Sequence, residues 1–129
     1  MNPDDIKYHR EHTWVRVEGK SATVGITDFA QQQLGDIVYV DLPEADTEVD
    51  ADSELCEIES TKATSPVISP ISGTVGELND DLADSPEIMN EDPYGNGWIA
   101  VIKMSDPTEV NDLMSRDEYE KFLKEEEER

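Results

Sequence analysis

Between Trp14 and Met104 the chain is a succession of short β-forming segments, each closed off by Gly, Pro, Asn or Asp. Strands this short cannot bury a face alone, so they must pair into small antiparallel sheets that pack on one another. Trp14 to Glu18, the turn Gly19-Lys20 and Ala22 to Ile26 read as a hairpin. Thr27 caps a short helix over 28–34, which Gly35 ends. Ile37 to Leu42 is a strand stopped by Pro43, and 44–53 is an acidic loop. Leu55 to Ser60 places Cys56 and Ile58 on one face and Glu57 and Glu59 on the other. Val67 and Ile68 mark a strand bounded by Pro66 and Pro70, and Thr74 to Leu78 follows a bend at Ile71-Ser72-Gly73. Residues 79–97 hold at most one short helix near Pro86 to Asn90, before a strand from Trp98 to Met104. The C-terminal part turns helical. Asp106-Pro107-Thr108-Glu109 supplies a cap and a first-turn proline, and Ser115 to Glu118 a capping box. Tyr119, Phe122 and Leu123 then face inward, and the run Glu125 to Glu128 frays into solvent. The pattern predicts a mainly β sandwich or barrel with helical appendages.

Composition narrows the function. The 129 residues carry 32 acids against 10 bases, a net charge of −22. Leu, Ile, Val and Phe are 28 of the 129, close to the roughly 20% floor below which so charged a chain is disordered. A duplex-binding surface needs clustered Lys and Arg, which are missing. No apolar run approaches a membrane span, and MNPDDIKYHREH has no basic flank followed by an apolar stretch. One cysteine, Cys56, cannot form an internal disulfide. These features predict a cytoplasmic protein that binds neither nucleic acid nor membrane. Acids spread along the chain repel one another in the compact state, and molar salt screens that repulsion. A salt-rich, halophilic cytoplasm is the favoured reading of the charge; mimicry of nucleic acid is the rival.

One basic residue stands apart. Lys62 is the only Lys or Arg between Lys20 and Lys103, an interval that holds 18 acids. It sits in EIESTKATSPVISP, where Ser60, Thr61, Lys62 and Ala63 form the natural turn between two strands. A lysine at a hairpin tip can present its amine to an attaching enzyme; an ordinary solvated lysine is the bland alternative. His9 and His12 are three apart, as on one helical turn, but zinc needs three or four ligands and nothing completes the set. Cys56 reads as a buried, inert thiol. Asp80, Asp81, Asp84, Glu91 and Asp92 match no calcium loop and read as solvated acids. No phosphate loop, nucleophile elbow or Ser/His/Asp set is visible, so nothing points to an enzyme.

The stretches HTWVRVEG, ATVGITDFAQQQLGDIVYVDLPE, EIESTKATSPVISPISGTVGELN, NEDPYGNGWIAVIKMSDP and DEYEKFLKEEE, in this order, closely resemble the glycine cleavage H-protein family. The resemblance implies a barrel-sandwich hybrid of two small antiparallel sheets with flanking short helices and C-terminal helices. It implies a single domain over 1–129, a lipoyl-binding core over 21–103 and a helical appendage over 106–129. It also implies lipoic acid in amide linkage to Lys62, which removes the lysine's charge. In that family the arm takes the aminomethyl group of glycine from the decarboxylase (P protein) to the aminomethyltransferase (T protein). Dihydrolipoamide dehydrogenase (L protein) reoxidises it, and a lipoate ligase or lipoyl transferase loads it. The loaded arm folds into a cleft on the carrier. Glu59, Ser60 and Ala63 are the residues the attaching enzyme would read. A carrier visiting several partners implies a monomer with no catalysis of its own.

The chain departs from the family at Thr13 and Pro66, where many members have an acid or, after the lysine, a polar group. Glu11 or a backbone carbonyl could then meet the loaded amine. Three other readings stand beside this one: a lipoyl relay, a lipoyl or biotinyl domain of a larger enzyme, and an unmodified binding protein with the same fold. Biotin carriers flank their lysine with methionine; here the neighbours are Thr61 and Ala63.

Overall fold

The computed structural model describes residues 5–127. Its strands are β1 (Lys7–Tyr8), β2 (Thr13–Glu18), β3 (Ser21–Ile26), β4 (Ile37–Asp41), β5 (Glu48–Val49), β6 (Glu54–Ser60), β7 (Thr64–Ile68), β8 (Gly73–Leu78) and β9 (Ala100–Met104). Helices α1 (Asp28–Leu34), α2 (Asp81–Asp84), α3 (Ile88–Glu91) and α4 (Arg116–Glu127) lie between and after them, with a 3₁₀ segment at Pro107–Asp112. One sheet has the order β1-β2-β3-β9-β8-β5 and the other β4-β6-β7, with antiparallel pairing throughout. The expected two-sheet architecture is present, and among the described residues the sheets do not close into a barrel.

The core lies between the sheets. Val15, Val24, Val75 and Ile102 come from the six-stranded sheet, and Val40, Ile58 and Val67 from the three-stranded one. Leu82 of α2 and Met89 of α3 join the same cluster. Each such side chain stabilises by about 1.5–3 kcal/mol through removal from water. A second cluster of Ile6, Tyr8, Trp14 and Tyr119 sits apart from it. Consecutive residues Trp14 and Val15 of β2 are therefore both buried, one in each cluster, because Tyr119 of α4 adds cover for Trp14. Tyr8 and Tyr119 stack at 4.6 Å with nearly parallel rings. The Trp14 ring lies over Gly25, its cross-strand partner, where a Cβ would come within 2.7 Å of the indole.

Local sequence signals held where the bonds they specify are local. Thr27 Oγ1 accepts from Ala30 N at 3.2 Å and α1 runs over 28–34 as expected. The Ser115 capping box is formed in both directions, Ser115 N to Glu118 Oε1 and Glu118 N to Ser115 Oγ. Asp106 caps the segment that follows it, but that segment is 3₁₀. Its Glu109 carboxylate turns away to accept from Ser72 N and Oγ.

Several boundaries differ from the sequence expectation. Pro66 lies inside β7 rather than before it, opposite Glu57. β7 is an edge strand, and an edge can lack one backbone donor. The acidic loop 44–53 contains β5, which pairs with Gly73 and Thr74 of β8. Residues 79–97 hold two short helices rather than one, and β9 begins at Ala100 rather than Trp98. His9 and His12 lie on no helix: His12 sits at φ 66° in the connection between β1 and β2. Helix α4 continues through the acidic run as far as Glu127; Glu128 and the first four residues lie outside the described residues.

Candidate functional site

Lys62 stands at the tip of the β6–β7 hairpin, exposed, with Thr61, Ala63 and Thr64 exposed beside it. A two-residue hairpin turn ordinarily needs positive φ at its centre, yet neither Thr61 nor Lys62 has it. The side chain of Ser60 holds the turn instead. Its Oγ accepts from Lys62 N and Ala63 N at 3.2 Å each and donates to Ala63 O, while Ser60 N donates to Ala63 O at 2.8 Å. Glu57 and Glu59 lie exposed on the outer face of β6, and Cys56 and Ile58 are buried on the inner face, as the alternation requires. Burial pushes the Cys56 thiol up to about 12.

A second layer fixes the tip. Thr61 N donates to Asp36 O at 3.0 Å, tying the turn to the link between α1 and β4. Asn90 of α3 anchors that link: its Oδ1 accepts from Ile37 N, and its Nδ2 donates to Gly35 O and Gln31 Oε1. Nothing in the local pattern singles out Asn90, because its partners are 53 to 59 residues away in sequence.

Beside the tip a cleft of about 480 Å³ runs between α1 and β7. Ile26, Phe29, Leu34, Ile58 and Val67 make it apolar, while His9, Glu11, His12, Thr13 and Asp52 add polar groups. Leu34, which adjoins Gly35 under the Lys62 stem, and Ser65, three residues after Lys62, both line it, so its wall reaches close to the hairpin tip. Both departures from the family pattern, Thr13 and Pro66, line it. Thr13 is buried and donates from Oγ1 to Ile68 O at 3.0 Å, tying the two sheets together.

The histidines have separate tasks. His9 is buried; its Nδ1 accepts from Glu11 N, and its Nε2 meets Asp52 Oδ1 at 2.5 Å. That bond holds the Asp52 carboxyl below its usual range. His12 Nδ1 bonds the Tyr119 hydroxyl at 2.8 Å, and that hydroxyl also bonds Thr27 Oγ1. Desolvation lowers the His12 pKa. The His9–Asp52 pair joins positions 43 residues apart, and the sequence alone did not bring them together. Among the described residues no group of three or more His, Cys, Asp or Glu is placed to hold a metal ion.

Two small facing sheets that present one lysine on a tight hairpin, with a cleft alongside, define a carrier domain of the lipoyl and biotinyl type. Comparison with known proteins narrows the class. Residues 6–126 match the family model described as glycine cleavage H-protein. The chain is 60% identical to glycine cleavage system H protein 4 of Aquifex aeolicus, over 94% of this chain and 71% of that one. It is 50% identical to a probable glycine cleavage system H protein of Haloarcula marismortui, over 91% and 92% of the two chains. The crystal structure of an H protein from Mycobacterium marinum superposes with a TM-score of 0.84 at 36% identity, covering 92% of this chain and 95% of that one. The chain belongs to the glycine cleavage H-protein family, the lipoyl carriers of the glycine cleavage system.

Proposed function

We propose that Lys62 carries lipoic acid as an amide, and that the arm shuttles the aminomethyl group of glycine between the P and T proteins. On this reading the L protein reoxidises the arm, and the chain itself catalyses nothing. The observation that carries the assignment is the Ser60-braced tip, which holds Lys62 exposed beside the cleft. The group supplies dithiol chemistry and reach when bound; the chain supplies position and shelter.

The residues fit such a group. The lysine is exposed for acylation, and once acylated it loses the charge that would oppose entry into apolar surroundings. Gly35 leaves room for its stem: a Cβ there would stand 3.3 Å from Lys62 Cε. Ile26, Phe29, Leu34 and Val67 offer apolar wall to an aliphatic chain. A lipoate ligase or lipoyl transferase reads Glu59, Ser60 and Ala63, of which Ser60 acts by fixing the turn's shape and Glu59 by its exposed charge. Residues 21–103 form the lipoyl core and 106–129 the helical appendage, and the carrier works as a monomer in the cytoplasm. Among the described residues no helix is long and apolar enough to cross a membrane.

Intact mass of the protein isolated from its own cells, with sequencing of the modified peptide, tests this. One lipoyl group on Lys62 is the expected result; an unmodified lysine, or biotin in its place, defeats the proposal.

A further inference from the structure

The apolar stretch of the cleft raises a question of charge. The cargo proposed above is a primary amine, and an ammonium entering a partly apolar cleft needs a carboxylate partner. Thr13 carries no charge: its Oγ1, which donates to Ile68 O, offers an ammonium only a neutral acceptor. Pro66 offers no side-chain acceptor. The carboxylates that line the cleft are those of Glu11 and Asp52.

These two are not equivalent. Both are exposed, but among the described residues the Glu11 carboxylate accepts no hydrogen bond. Asp52 is fixed from both ends. Its backbone stands at φ 69°, a left-handed conformation uncommon for a residue with a side chain, and Asp52 N donates to Ser69 O at 2.9 Å. Its Oδ1 is held by His9 Nε2, and His9 is itself buried and oriented by the bond from Glu11 N to Nδ1. Because Nδ1 accepts, the ring proton is on Nε2 and is donated to Asp52. Among the described residues Oδ2 is left without a donor. Backbone held in a sparsely populated region tends to gather at functional sites, and His12 at φ 66° lines the same cleft.

Resting on the carrier reading above, we infer that Asp52, held in place by His9, is the carboxylate that receives the cationic amine at the end of the loaded arm. His9 is a positioning residue; Oδ2 of Asp52 makes the contact. Arg10 also lines the cleft and is the cation that the incoming ammonium must outcompete.

The test uses full-length lipoylated protein, loaded through the decarboxylase and then freed of it. Water converts the cargo to formaldehyde and ammonia and leaves the free thiol, so release of both products measures exposure of the loaded arm. Asp52→Asn keeps the shape, and Asn tolerates a left-handed backbone as well as Asp does. It should release its cargo about tenfold faster than the wild type, the scale of one lost charge-assisted hydrogen bond. Glu11→Gln should have the smaller effect, and Glu77→Gln, in the other sheet, none. A second readout is independent of turnover: the Asp52 ¹³Cγ and His9 ¹⁵Nε2 resonances should shift when the wild type is loaded. Wild-type retention by Asp52→Asn, or a Glu11→Gln effect as large, overturns the inference while leaving the carrier function standing. A chain that takes no lipoate on Lys62, checked first by mass, overturns both.

Discussion

The stem of Lys62 lies across Gly35: a Cβ at position 35 would stand 3.3 Å from Lys62 Cε and 3.8 Å from Nζ. Gly35 has φ 80° and ψ −152°, a region closed to residues with a side chain. One glycine thus ends α1, turns the chain toward β4 and leaves space under the candidate attachment lysine. Gly35→Ala should destabilise the fold by about 1–3 kcal/mol and slow lipoylation by crowding the stem. Denaturant melts and the lipoylation rate, measured on the same variant, check both effects.

Lys62→Arg should abolish lipoylation and leave thermal stability unchanged. The residue is exposed, and the turn around it is bonded through Ser60 and the backbone rather than through the lysine side chain. Mass spectrometry and a melting curve suffice; any lipoyl mass retained on the variant refutes the assignment of the lysine.

Ser60→Ala removes the oxygen that accepts from Lys62 N and Ala63 N. Losing those bonds in an exposed turn should cost about 1 kcal/mol, and the loosened tip should be lipoylated several-fold more slowly. Glu59→Lys should also slow lipoylation, more than Glu77→Lys on the other sheet does at matched salt, because local complementarity governs encounter. Equal rates for the two lysine variants would reduce Glu59 to general surface charge. Glu126 makes a poorer control, since its carboxylate lies 3.4 Å from His12 Nε2.

His12 links stability to pH. Desolvation lowers its pKa from 6.5, so the unfolded chain takes up the proton first. The neutral ring's contribution is complete above about 6.5 and is lost as pH falls below it. Proton uptake by the carboxylates has its own, more acidic window. Replacing His12 with Gln should flatten the stability profile just below pH 6.5, and an NMR titration of the His12 ring should place its midpoint under that value.

The charge of −22 should make melting temperature rise with salt up to molar levels. Constant melting from low to molar salt would remove the halophilic reading without touching the carrier. Cys56, with its thiol raised to about 12 by burial, should resist alkylation at neutral pH until the protein unfolds.

The sequence by itself determined whatever depends on neighbours a few residues apart. Thr27 and Gly35 bound α1, the Ser115–Glu118 box starts α4, and the alternation in β6 sends Cys56 in and Glu59 out. The hairpin tip and its lysine were legible for the same reason: Ser60 to Ala63 form a bonded turn of four consecutive residues. Only the tertiary structure decided the rest. Pro66 could lie within β7 because the sheet order makes that strand an edge. β5 exists because β8 is there to pair with it. Asn90 buttresses the tip from 53 to 59 residues away, and His9 meets Asp52 across 43. Such partners are chosen by how the two sheets pack, and no spacing along the chain encodes them. The hairpin tip that carries the candidate attachment lysine could therefore be read in one dimension, whereas the walls of the cleft beside it needed three.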